Sequence, residues 1–135
     1  MVNYFKPRKI ELYRNRTIYE LVGIRIFKKY LPTSGDLVRK WSNIVQIKSS
    51  ESGRINELYR IEQKTRTYEI RHIFGAVGFM AIVLITDKEL TVLDVCFLVV
   101  LNLCVNIYPI FLQRYNRIRI IRILQNNGFG SPYDV

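Results

Sequence analysis

Residues 90–112 read LTVLDVCFLVVLNLCVNIYPIFL and hold a single charge, Asp94, in 23 positions. As a helix rising about 1.5 Å per residue, the stretch spans roughly 35 Å, enough to cross the hydrocarbon core of a bilayer. Upstream, the polar turn Thr86-Asp87-Lys88-Glu89 separates it from residues 73–85, thirteen positions without a charge. Thirteen residues cover only about 20 Å, so the membrane part of this first segment is expected to begin earlier, near Tyr68 or His72. So short a turn between two long apolar segments implies an antiparallel helical hairpin. The expected fold is therefore an all-α membrane protein. A transmembrane hairpin at residues 67–122 follows a basic, partly amphipathic helical region at residues 1–66 and precedes a flexible tail at residues 123–135.

The charge follows the same division. The net charge is +10, and of 21 lysines and arginines, 16 precede residue 73, four follow residue 112, and only Lys88 lies in the turn. Basic residues at both outer ends of a hairpin place those ends in the cytoplasm. This makes an integral protein of the cell membrane the expectation, with membrane lipid rather than nucleic acid as the partner. Both apolar segments lie in the second half, and no small-residue cleavage site follows an N-terminal apolar run, so neither reads as a signal peptide. Cys96 and Cys104, eight apart, would sit about 12 Å from one another on a helix, too far for a disulfide. They read as buried small apolar residues.

Ahead of the hairpin, residues 1–16 read as an extended basic approach. Residues 17–31 read as a helix ended by Pro32, with Ile18, Leu21, Val22, Phe27, Tyr30 and Leu31 as its apolar stripe and Ile24 and Ile26 off it. Arg25, Lys28 and Lys29 make it either an interfacial helix or one packed on the rest of the chain. Residues 32–36 form a turn, residues 37–47 carry Trp41 among scattered apolar positions, and residues 48–53 are the expected flexible loop. A helix starts near Ile55 and runs into the first membrane segment, where Gly75 and Gly78 allow close helix approach. The tail from Asn126 reads as irregular.

Two polar sets could carry chemistry. Glu62, Glu69 and the only histidine, His72, are spaced seven and three apart, which puts them on one helical face near the membrane entry, with Arg66 beside them. A carboxylate one turn from an imidazole can orient it as a general base; the plainer alternative is a solvated ionic collar. Asn102, Asn106, Pro109 and Gln113, spaced four, three and four, form a second stripe. Pro109 removes the backbone bond to Val105 and kinks the helix. Amides on such a stripe face protein, either as a site or as glue between helices. Gln113-Arg114-Tyr115-Asn116-Arg117 then leaves the membrane at the side where His72 enters, so the sets converge. No phosphate-binding loop, nucleophile elbow or zinc motif occurs. One histidine without a Cys/His cluster gives no metal site.

Three stretches resemble the glycosyl-4,4'-diaponeurosporenoate acyltransferase family of small bacterial membrane proteins. They are residues 23–32 (GIRIFKKYLP), residues 62–72 (EQKTRTYEIRH) and residues 106–117 (NIYPIFLQRYNR). The likeness covers roughly residues 19–122 and is most specific in the last stretch. It implies transfer of a fatty acyl group to a hydroxyl of a lipid-linked acceptor, such as a glycosylated carotenoid or terpenoid, with no cofactor beyond the acyl donor. In that reading His72 is the base, oriented by Glu69 or Glu62. Arg114 or Arg117, with Gln113 or Asn106, meets the oxyanion or a donor phosphate, while Arg66 and Asn116 complete the substrate contacts. The resemblance also implies an apolar segment ahead of the region matching Tyr4, and this sequence starts at Met1 without one. The rival expectation is a non-catalytic scaffold whose basic face binds anionic lipid or a partner enzyme.

Overall fold

The computed structural model describes residues 4–13, 16–30, 51–85 and 89–133. The turn at 32–36, the Trp41 segment and Thr86, Asp87 and Lys88 lie outside the described residues. Among the described residues the architecture is all-α apart from one minimal strand pair. A 3-10 turn, Lys9–Glu11, leads into β1 (Leu12–Tyr13), which pairs antiparallel with β2 (Arg16–Thr17). Two short helices follow, α1 (Ile18–Leu21) and α2 (Ile24–Tyr30). The long α3 (Glu51–Ile85) and α4 (Val92–Asn102) come next, then a π-helical turn (Leu103–Ile107) and α5 (Tyr108–Asn126).

Gly75 approaches Asn106, Glu69 pairs with Arg114 and Arg117, and Ile55 packs with Ile120 and Leu124. As positions in α3 fall, their partners in α5 rise, so the two arms are antiparallel. The spans Ile55–Ile85 and Val92–Asn126 are each long and apolar enough to cross a membrane. One half of the hairpin is dressed for lipid: Phe74, Leu84, Val92 and Leu93 are 73–81% exposed. An apolar surface that large costs heavily in water, whereas acyl chains cover it without penalty. Cys96 and Cys104, expected to be buried, lie exposed on this apolar half. Asp94, the one charged residue within residues 90–112, has a local job. Thr91 Oγ1 accepts from the Asp94 N–H at 3.3 Å and Asp94 Oδ2 accepts from the Thr91 N–H at 3.0 Å, a reciprocal cap on α4.

The second arm bends where the sequence loses a donor. Pro109 cannot bond back to the carbonyl of Val105, and the chain takes that loss as the π turn at Leu103–Ile107 just before it. The amide stripe faces protein along its length, with Asn102, Asn106, Pro109 and Gln113 all buried. Asn106 Nδ2 donates to Asn102 Oδ1 at 2.8 Å, and Asn102 Nδ2 donates to the Ala76 carbonyl at 3.4 Å. These two amides therefore join the arms. Gly75 makes the join possible, since a Cβ there would lie 2.7 Å from Asn106 Oδ1, whereas one at Gly78 would meet nothing within 4 Å. Gly75→Ala is expected to cost about 1–3 kcal/mol through overpacking, and Gly78→Ala almost nothing. Detergent unfolding curves check both, and in an Asn106→Ala background the Gly75 penalty should shrink. Equal penalties in both backgrounds would refute the contact.

Five local expectations are corrected. The expected helix 17–31 is broken at Gly23, whose φ of 80° suits glycine alone. The break turns α2 relative to α1, so a single apolar stripe does not hold: Ile24 is buried with Tyr19 and Phe27, while Leu21 and Val22 are exposed. The approach over residues 1–16 is not simply extended, since it includes the 3-10 turn and the strand pair. α3 is already helical at Glu51, inside the expected loop, and Ile55 is buried against Ile120 and Leu124. The tail does leave the helix after Asn126, but it is anchored: Tyr133 is buried, and Tyr59 Oη donates to the Gly130 carbonyl at 2.9 Å. The boundary drawn between residues 66 and 67 falls within the unbroken α3.

Candidate functional site

The polar residues of α3 and α5 meet where the arms emerge from the apolar half. Spacings of three and four place Glu62, Thr65, Glu69 and His72 on one face of α3. Across from them, α5 presents Gln113, Arg114 and Arg117. Burial forces the charges to pair, because an isolated ionised group in a low-dielectric interior is too costly.

Glu69 is fully buried and accepts from two guanidiniums, Arg114 Nε at 2.7 Å and Arg117 Nη2 at 2.5 Å. Glu62 accepts from Arg66 Nε at 2.9 Å and Nη2 at 2.7 Å, and also from the hydroxyl of Tyr133. Arg117, 1% exposed, donates from Nε to Thr65 Oγ1 at 3.2 Å and lies 3.6 Å from Glu62. Arg114 reaches a third carboxylate, donating from Nη1 to Glu11 at 2.5 Å. Three glutamates and three arginines thus neutralise one another within a single network.

The N-terminal segment closes this network. Glu11 is buried and also accepts from Tyr19 Oη at 2.7 Å and from the Arg8 N–H at 2.8 Å. Burial alone would raise the Glu11 pKa; the bonds from Tyr19, Arg8 and Arg114 outweigh it and hold the carboxyl below its ordinary range. Burial first, and then the bond to Glu11, push the Tyr19 phenol well above its usual pKa, so it remains a donor. Aromatic rings cover the guanidiniums: Tyr4 lies 4.7 Å from Arg114, Phe5 5.1 Å from Arg117 and Tyr133 4.6 Å from Arg66.

The structure brings five of the nine expected site residues into direct contact: Glu62, Arg66, Glu69, Arg114 and Arg117. Asn106 lies apart, deeper in the hairpin with Asn102 and Gly75. The side chains of His72, Gln113 and Asn116 make no hydrogen bond among the described residues. The expected orientation of His72 by Glu69 or Glu62 is therefore corrected. Both carboxylates are committed to guanidiniums and a phenol through charge-assisted bonds, which leave little acceptor capacity for the imidazole. His72 is half-buried one turn beyond Glu69, level with the first turn of α5 by the register of the pairs on either side of it. Gln113 is only 9% exposed.

Sequence reasoning missed Glu11, Tyr19, Thr65 and Tyr133. Thr65 was within reach, since it falls on the Glu62–Glu69 stripe. The others are joined to the network from a distance along the chain that no spacing rule covers. Tyr133→Phe tests the tail's part. Losing one hydrogen bond to a buried carboxylate should cost about 1.5–3 kcal/mol and speed proteolysis of the tail, although the phenyl ring can still cover Arg66. Unchanged stability and unchanged proteolysis would show that the tail merely rests there.

A family model described as glycosyl-4,4'-diaponeurosporenoate acyltransferase matches residues 2–126. No curated protein and no solved structure matches the chain.

Proposed function

The chain belongs to the glycosyl-4,4'-diaponeurosporenoate acyltransferase family, and from that membership we propose that it is an integral cell-membrane enzyme that esterifies a hydroxyl of a lipid-linked acceptor with a fatty acyl group. The acceptor class is a glycosylated carotenoid or terpenoid, and both chain ends face the cytoplasm, where 20 of the 21 basic residues lie outside the hairpin turn. The observation that carries the reading is His72. It is half-buried, its side chain without a hydrogen bond among the described residues, at the border between the ionic network and the exposed apolar surface. A lipid held by its apolar part can bring a polar headgroup to that border.

In this reading the acceptor hydroxyl gives its proton to the imidazole of His72 as its oxygen attacks the acyl carbonyl of the donor. The new C–O bond makes a tetrahedral oxyanion, which the amide of Gln113 is suited to meet. The intermediate collapses by breaking the bond to the donor's leaving group, which takes the proton from the imidazolium. Asn116, half-buried on α5, is assigned to the acceptor. Arg66 has the most room for a donor's anionic group, its side chain being 27% exposed against 2% for Arg117. The glutamates hold the arginines in place instead of orienting the base.

The scaffold reading needs an open basic face. Arg114 and Arg117 are spent on glutamates inside the fold, which weighs against that role for these two. The direct test is to compare lipid extracts of cells with and without the gene. An acyl ester of a glycosylated terpenoid lipid should appear only with it. Identical lipid profiles in a host that makes the acceptor would overturn the proposal.

A further inference from the structure

We infer that α1 and α2 form a membrane-surface anchor lying in the plane of the headgroups, with Leu21, Val22 and Ile26 in the acyl boundary and basic side chains on anionic lipid. The two helices already bury one side. Tyr19, Ile24 and Phe27 pack with Leu112, Tyr115 and Ile118. That contact does not account for the opposite side, where Leu21, Val22 and Ile26 are 64%, 47% and 66% exposed. In water such exposure is unfavourable, and here it is concentrated on one short segment.

The position of this face identifies its occupant. Tyr108 donates from its hydroxyl to the Val22 carbonyl at 3.1 Å, and its ring stacks on Phe27 at 4.8 Å. Tyr108 lies less than one turn beyond Val105, which is 53% exposed and ends the apolar surface of the second arm. Val22 is therefore fixed beside the edge of the lipid-facing surface, and one apolar belt continues from the hairpin onto α1 and α2. A tyrosine with one wet end and one apolar end suits this boundary.

Charge agrees with the same occupant. Residues 1–30 hold eight lysines and arginines and two glutamates. Glu11 is turned inward on Arg114 and Glu20 pairs with Arg25 at 2.9 Å, while Arg8, Lys9 and Arg16 are exposed, so among the described residues the exposed charge of this segment is mainly positive. Interfacial helices of this type sink about 5–10 Å into the headgroup and acyl boundary and favour anionic lipid. Tyr19, in α1, donates to Glu11, so the anchor is joined directly to the N-terminal cover of the ionic network. The inference depends on the membrane setting of the hairpin and is independent of the acyl-transfer assignment.

The test uses the full chain with Cys96 and Cys104 replaced by alanine and single cysteines placed by Val22→Cys, Ile26→Cys or Asn56→Cys. Each is labelled with an environment-sensitive fluorophore and reconstituted into vesicles of phosphatidylcholine with phosphatidylglycerol. Probes at 22 and 26 should emit to the blue of the probe at 56 and lose intensity to a nitroxide on the upper acyl chain. The shift should weaken in phosphatidylcholine alone and in an Arg25→Ala background. Probes at 22 and 26 as wet as the one at 56 would overturn the inference. So would protection that appears only at high protein-to-lipid ratio, since a second copy would then be the cover.

Discussion

Glu69→Ala is expected to destabilise the protein more than any other single change outside the apolar belt. The carboxylate is fully buried, and among the described residues it alone joins Arg114 to Arg117. Removing it leaves two guanidiniums facing one another with one acceptor fewer, and breaking a buried pair from one side costs about 3–5 kcal/mol. That is a large share of the roughly 5–15 kcal/mol that stabilises a typical fold. Glu57→Ala is the matched control. Its pair with Arg60, at 3.4 Å and three residues apart, is exposed on both sides and is worth at most about 0.5 kcal/mol. Helix content followed through detergent unfolding should separate the two variants clearly. The double change Glu69→Leu with Arg117→Met should recover part of the loss, because an apolar pair of similar volume needs no compensation. If Glu69→Ala unfolds like Glu57→Ala, the network is not what holds α3 to α5.

What the sequence disclosed and what it hid divide along physical lines. Periodicity within one helix was legible. The stripe from Asn102 to Gln113 turned inward because amides have no partners in lipid, and Glu62 and Glu69 share a buried face because seven residues make two turns. The loss of a donor at Pro109 announced a local distortion, although only the structure shows it taken up as a π turn. Pairings between elements were hidden. Glu11 lies 103 residues from Arg114, and Tyr133 lies 71 from Glu62; no spacing connects them. The placement of Ile24 was misread because Gly23 resets the phase of the helix, and a glycine within a helical pattern does not declare whether it is in the left-handed region. The orientation of His72 was misread for a related reason. Proximity on one helix offered it a carboxylate, but an opposing helix supplied two arginines, and charge pairing decided the competition.

His72→Ala is expected to reduce ester formation by about 10²–10⁴-fold, the usual contribution of a positioned general base, while the protein remains folded. Stability should be nearly unchanged because His72 is half-buried and its side chain makes no hydrogen bond among the described residues. The contrast with Glu69→Ala is therefore twofold. One variant should be stable and inactive, and the other should be unstable, with activity lost in proportion to unfolded protein. Measuring initial rates in vesicles, alongside unfolding curves of the same preparations, separates these outcomes. Chemical rescue sharpens the assignment. Added imidazole can enter the space left by the shortened side chain and accept the hydroxyl proton, so it should restore part of the rate to His72→Ala and none to Glu69→Ala. His72→Gln, which keeps hydrogen-bonding capacity but cannot take a proton, should be as slow as His72→Ala. Near wild-type turnover by His72→Gln would assign His72 to binding, and the base would then have to be sought elsewhere on the border between the network and the apolar belt.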